Sequence, residues 1–167
     1  SSEFNFVVDE IDAQEIEKIA ISSTKIRKSI NEGDLETTSL YLGRFFSLTG
    51  KVVKGDGLGK QIDYPTANIK IEENYKIIPK DGVYYIKTTI DNKLYNGMMN
   101  IGHRPTIGSK EKSIEVNLFN FNRDIYDKIM SINVIKKIRD EKKFSSIEAL
   151  KAQLAKDQEH CLKLINK

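Results

Sequence analysis

Cysteine is nearly missing from this chain: one, Cys161, in 167 residues. A disulfide framework is thereby excluded, as is a zinc site built mainly from thiolates. Three prolines and ten glycines are too few for a collagen-like or Pro/Gly-rich disordered chain. No run of about 18 apolar residues exists, so the sequence predicts no membrane-spanning helix. The N-terminus lacks a basic patch followed by an apolar core, so no signal peptide is read there. Charge of one sign is also in short supply. Lysine and arginine number 27 against 24 acidic residues, a net charge of +3, and a dedicated nucleic-acid binder needs a clustered basic face instead. These shortages together predict a cytoplasmic protein with neither membrane nor nucleic acid as a partner.

What is present is the composition of a folded protein, 39% hydrophobic and 31% charged. At this size folding buries roughly 68–70% of the unfolded surface, enough for a real core. From about residue 12 to 42 the pattern is helical. Ile16, Ile19 and Ala20 fall at helical spacing, then Ile26 and Ile30, then Leu35 and Leu42 beyond a break at Gly33. Ser22, Ser23 and Thr24 are good caps for the second of these stretches.

From about 45 to 138 the texture changes to short runs rich in Val, Ile, Thr, Tyr and Phe, at 45–53, 67–71, 83–90, 94–101, 114–121 and 129–138. Asp91-Asn92 fits a tight hairpin. In the fifth run Ile114, Val116 and Leu118 share one face, and Glu115, Asn117, Phe119 and Phe121 the other. Six strands in series without intervening helices predict an antiparallel barrel. The last segment returns to helix. Ser145 and Glu148 form a capping box, and Ile147, Leu150, Leu154, Cys161 and Ile165 mark one face.

Several segments could carry chemistry. Gly55, Gly57, Gly59 and Lys60 follow a strand, and such glycines let backbone amides approach a phosphate. The spacing is neither a P-loop nor a dinucleotide fingerprint, and a plain hairpin loop fits equally well. Thr66 and Asn68 are neutral oxygen ligands two residues apart that suit Mg²⁺ shared with substrate phosphates. Taken alone, they read first as residues that satisfy turn backbone where Pro65 starts a strand.

Glu115, an acid in an apolar strand, suits a general base, or else simply faces solvent. Residues 100–106 read as a polar loop ending a strand. Arg139 to Phe144 is a charged stretch that reads as a solvated face; Lys136, Lys137, Arg139, Lys142 and Lys143 could touch nucleic acid as the alternative, but Asp140 and Glu141 interrupt them. His103 and His160 lack ligand-type neighbours.

Taken in order, these segments resemble riboflavin kinase. The set is the glycine-rich loop, Pro65-Thr66-Ala67-Asn68, Pro79, Gly82-Val83-Tyr84, Asn100-Ile101-Gly102, Arg104-Pro105-Thr106, Glu115, Ile138-Arg139 and Lys143-Phe144. Residues 47–165 are most similar to the kinase module of the bacterial bifunctional riboflavin kinase/FAD synthetases. Residues 1–46, with Ser22, Ser23, Thr24 and Arg27, resemble the end of the adenylyltransferase domain in those enzymes. A His-x-Gly-His-type motif is absent, so the resemblance implies a shortened form, 1–46 a remnant and 47–167 the kinase, without FAD synthesis.

The resemblance implies a six-stranded Greek-key barrel with a C-terminal helix, and transfer of phosphate from ATP to riboflavin with Mg²⁺, giving FMN and ADP. By motif match Thr66 and Asn68 would hold metal and nucleotide phosphates, and Gly55, Gly57, Gly59 and Lys60 would cover those phosphates. Glu115 would take the proton of the ribityl hydroxyl. Arg139 would lie by the flavin or the transferred phosphate, with Phe144 at the flavin.

Some positions depart from the family pattern. Asp63-Tyr64 stands where Gly-Phe is usual, Lys60 where arginine is common, and Asn117 and Asn120 where His and Asp are usual. Asp63 places a negative charge near the proposed ATP loop. A flavin-binding module without turnover and a small single-strand nucleic-acid barrel are the alternative functions. The second needs basic and aromatic residues on one face, where this chain has Glu115.

Overall fold

The computed structural model describes residues 15–16, 19–55, 57–103 and 112–165. Two short strands, β1 (Glu15–Ile16) and β2 (Ile19–Ala20), pair antiparallel, with Ile16 opposite Ile19. The helix expected from about residue 12 is therefore corrected to begin later. Three apolar residues within five positions fit a tight hairpin as well as a helix, and periodicity over so short a window cannot separate them.

Helix α1 (Ser23–Glu32) starts at the predicted cap: Ser22 is extended and its Oγ accepts from the Lys25 N–H at 3.3 Å. Gly33, at φ +79°, ends it in the left-handed region. Asp34 then caps α2 (Leu35–Leu42) by accepting from the Thr37 N–H at 3.0 Å.

Six strands close a barrel: β3 (Phe46–Val53), β4 (Ala67–Lys70), β5 (Gly82–Ile90), β6 (Lys93–His103), β7 (Lys112–Leu118) and β8 (Ile129–Arg139). Every neighbouring pair is antiparallel, in the order β3-β4-β7-β6-β5-β8. Between β5 and β6, Asp91 and Asn92 have φ +49° and +61° and Ile90 faces Lys93. That is the two-residue turn whose twist matches a hairpin. Asn100 to His103 belong to β6 and not to a loop, and residues 104–106 lie outside the described residues.

Alternation along the strands builds two layers. Inward-facing Leu48, Val52, Ile86, Met99, Ile101, Val116, Ile132 and Val134 are each at most 1% exposed. Burying such a side chain contributes about 1.5–3 kcal/mol. Leu35 of α2 joins the same core. On the outer face Val83, Tyr85, Met98 and Phe119 form a second cluster with Cys161.

Cys161 belongs to α4 (Ile147–Ile165), which lies on this outer wall with Leu154 and Leu164 packed against the cluster. Its buried side is centred on Asp157 and Cys161, while Ile147 and Ile165 are exposed. Its cap is Ser146 and not Ser145, because the helix starts one residue later than expected. Ser146 Oγ accepts from the Ala149 N–H at 3.2 Å.

Phe121 also departs from the alternation. β7 stops at Leu118 and Asn120 turns with φ +55°. Phe119 therefore stays on the outer face while Phe121 packs against the inner core. Among the described residues no helix is long and apolar enough to cross a membrane.

Candidate active site

Barrel register places one row of side chains across five strands. Asn68 faces Glu115, Glu115 faces Asn100, Asn100 faces Val83, and Val83 faces Arg139. Register partners share a face of the sheet. The row lies on the outer wall, because Val116, Met99 and Tyr84, their neighbours in the strands, point into the core.

Over this row, between the barrel and α4, lies a cleft of about 230 Å³. Its walls are apolar (Ile62, Val83, Met98, Phe144, Leu150 and Leu154), and Thr66, Asn100, Glu115, Asn117, Arg139 and Glu141 supply the polar groups. Apolar walls with a few convergent polar groups are the ordinary form of a small-molecule site.

The glycine-rich segment forms the rim. Gly57 has φ +74° and precedes a single helical turn, α3 (Leu58–Gln61). Two glycines let this segment close on β4. A Cβ at Gly55 would collide with the Asn68 carboxamide. At Gly59 it would strike the Tyr64 carbonyl and come within 3.1 Å of Thr66 Oγ1.

Asn117 secures the other side, donating from Nδ2 to the Pro65 carbonyl at 2.8 Å and so fixing the residue before Thr66. Thr66 lines the first cleft and also a second of about 260 Å³, which Lys60, Arg123 and Tyr126 share. It therefore stands at the junction of the two. Its hydroxyl and, two residues on, the Asn68 carboxamide are neutral oxygen donors of the kind that suits a Mg²⁺ also bound to phosphate oxygens.

Arg139 closes the far side. Its Nε lies 3.1 and 3.0 Å from the two Asp157 oxygens, and its Nη2 donates to Oδ2 at 2.8 Å. The guanidinium also sits 5.7 Å from the centre of the Phe144 ring, in cation–π contact.

The cleft thus gathers Gly59, Thr66, Glu115, Arg139 and Phe144, and the second cleft takes Lys60 with Thr66. Gly55, Gly57 and Asn68 line neither, Asn68 being packed under the rim. Ser22, at the α1 cap, and Ser23, Thr24 and Arg27, within α1, also line neither cleft. Asp157 and Glu141 were not singled out by sequence. A signal for Asp157 existed: it interrupts the apolar face of a helix four residues before Cys161.

The family model described as "Flavokinase: Riboflavin kinase" matches residues 42–165. A bifunctional riboflavin kinase/FMN adenylyltransferase of Bacillus subtilis is 40% identical over 146 residues, covering 86% of this chain and 46% of that protein. One from Buchnera aphidicola is 41% identical over 168 residues, covering 98% and 53%. The chain thus spans about half the length of the curated relatives it matches.

Among solved structures, a chain described as a macrolide-efflux protein from Streptococcus pneumoniae superposes with TM-score 0.82 and 37% identity, over 89% of this chain and 49% of that one. Riboflavin kinase from Trypanosoma brucei superposes with TM-score 0.52 and 24% identity over 72% and 80%, a likeness of fold. With the family model spanning the whole barrel and its covering helix, the chain belongs to the riboflavin kinase family.

Proposed function

We propose that this chain transfers the γ-phosphoryl group of ATP to riboflavin. The terminal ribityl oxygen bonds to the γ-phosphorus as the bond to the β,γ-bridging oxygen breaks, and FMN and ADP result. The hydroxyl proton passes to the Glu115 carboxylate. One observation carries this reading: Glu115 and Thr66 share an apolar-walled cleft, and Thr66 also opens onto a second cleft. Flavin in the first and nucleotide in the second would meet at Thr66.

The work asked of the protein is positioning and charge neutralisation, with one base orienting the nucleophile. Lys60 and the glycine rim would cover the nucleotide phosphates. Bound Mg²⁺, held by Thr66 and Asn68, would supply charge neutralisation at those phosphates. Arg139 and Phe144 would border the flavin. Cytoplasmic ATP and Mg²⁺ would serve as the co-reactants. The basic stretch near Arg139 favours this reading over nucleic-acid binding, since Lys136 pairs with Glu36, Lys137 with Asp140 and Arg139 with Asp157.

Purified chain incubated with riboflavin, ATP and Mg²⁺, then resolved by chromatography, is expected to yield FMN without FAD, because the sequence holds no His-x-Gly-His-type motif. FAD in the products would refute the restriction to the kinase step. Absence of FMN would refute the activity itself, and a flavin-quenching titration on the same sample would then separate a binding module from a different substrate.

A further inference from the structure

Arg139 is held from below by a group that is hidden from the cleft. The Asp157 side chain is 3% exposed and that of Arg139 20% exposed, so the arginine borders the cleft while its partner lies on the buried side of α4. Gln153, one turn earlier, donates from Nε2 to Asp157 Oδ1 at 2.8 Å and fixes the carboxylate in turn. Arginine carries five N–H donors in a rigid fork. Nε and one N–H of Nη2 are taken by Asp157, and one N–H of Nη1 by the Asp140 carbonyl at 3.0 Å. Among the described residues, no acceptor takes the remaining N–H on each terminal nitrogen.

Stability is a poor reason for this pair. Well-packed apolar side chains of similar volume often serve a buried position as well as an ion pair, or better. Leu154 and Leu164 of the same helix already pack against the outer cluster. What an apolar residue at 157 could not do is fix the rotation of the guanidinium. A two-pronged carboxylate contact sets that plane, and the Phe144 ring covers it.

We propose that Asp157 is a positioning residue: from α4 it fixes the Arg139 guanidinium so that its two remaining N–H groups face riboflavin in the cleft. This rests on the kinase reading above. The C-terminal helix thereby becomes part of the flavin site, acting through Arg139 without touching substrate.

The test is a double-mutant cycle of Asp157→Asn and Arg139→Lys, read by FMN formation at varied riboflavin and varied ATP. Asp157→Asn is expected to lower kcat/KM for riboflavin about ten-fold or more while KM for ATP stays within about two-fold. Riboflavin affinity, read without ATP by flavin fluorescence quenching, is expected to weaken in parallel. If Asp157 acts through Arg139, the double variant is no worse than Arg139→Lys beyond about two-fold.

Losses that multiply, parallel rises in both KM values, or unchanged riboflavin kinetics would each overturn the proposal. Should Asp157→Asn fail to melt cooperatively, Gln153→Leu replaces it. That variant keeps both charges and is expected to lose about two- to five-fold in the same parameter, no loss counting against the proposal. Wild-type chain that forms no FMN overturns the kinase reading and this proposal with it. Active wild type with an unaffected variant overturns this proposal alone.

Discussion

Asp63 Oδ2 lies 2.7 Å from Lys151 Nζ, joining the end of the glycine-rich rim to α4 across 88 sequence positions. Asp63 holds φ +63° at the position where the resemblance leads one to expect glycine. A left-handed backbone costs an ordinary L-residue about 1–2 kcal/mol, and aspartate is among the residues that visit it most readily. Both Asp63 and Lys151 border a third groove, which shares Tyr64 and Asn117 with the first cleft and Pro65, Leu118, Phe121 and Asn122 with the second. The charge that sequence places near the ATP loop is therefore met by a lysine on the helix.

Replacing Asp63 with glycine removes the backbone strain together with one exposed ion pair. Strain relief is expected to dominate, because exposed pairs contribute little. Asp63→Gly should melt no lower than wild type, and its KM for ATP should stay within about three-fold at physiological salt, where screening acts over about 8 Å. A much larger fall in KM would show that the Asp63 charge reaches the nucleotide.

Glu115→Gln keeps the shape of the side chain and removes its basicity. General-base assistance is typically worth about 10²–10⁴ in rate. The variant is expected to lose kcat on that scale, with riboflavin affinity by fluorescence quenching nearly unchanged. An equal loss in affinity and rate would make Glu115 a binding group instead.

Gly59→Ala tests the rim. The added Cβ would strike the Tyr64 carbonyl, a backbone atom that has little freedom to move while Asn117 holds Pro65. The rim is expected to lift from Thr66, lowering kcat/KM for ATP about ten-fold or more. The melting temperature should change little, since the barrel core is untouched. Wild-type kinetics in this variant would mean that the rim does not cover the nucleotide.

Alkaline pH probes Cys161 and Tyr85 of the outer cluster and Tyr84 of the inner core. Burial, with the Asp157 charge behind it, pushes the Cys161 thiol up from 9.0 to about 12. Burial also raises Tyr84, with Asp81 and Asp140 adding to it, and burial leads the rise at Tyr85. The folded state keeps protons that the unfolded chain releases, so these groups leave stability level below about pH 9 and lower it from there towards 12. Denaturant midpoints measured between about pH 8 and 11 are expected to fall, with a shallower slope in Cys161→Ala. A thiol reagent should label Cys161 at about pH 8 only after unfolding, and rapid labelling of native protein would contradict its burial.

Local pattern carried most of the architecture. Each of the six expected strands lies within three residues of an observed one, because alternation and turn residues are written within each segment. The misses have local causes as well. Ile16 and Ile19 sit in a window too short to separate a hairpin from a helix. Ser145 and Ser146 are chemically equivalent caps until the helix start is known. Phe121 crosses the sheet because Asn120 turns left-handed, which alternation alone does not anticipate. Leu35 reads as one more apolar position of a helix, and only the barrel makes it core.

By itself, the sequence determined the six barrel strands, the caps near Ser22 and Gly33, the order of the motifs and, through that order, the family. Tertiary structure alone decided that Asn68, Glu115, Asn100, Val83 and Arg139 form one row, that Thr66 joins two clefts, and that Asp157 reaches Arg139 from a different element. The reason is physical. Side-chain periodicity is a property of one segment and states which residues share a face. Register, closure and the seat of α4 are properties of pairs of segments, and they are settled only when distant parts of the chain pack together.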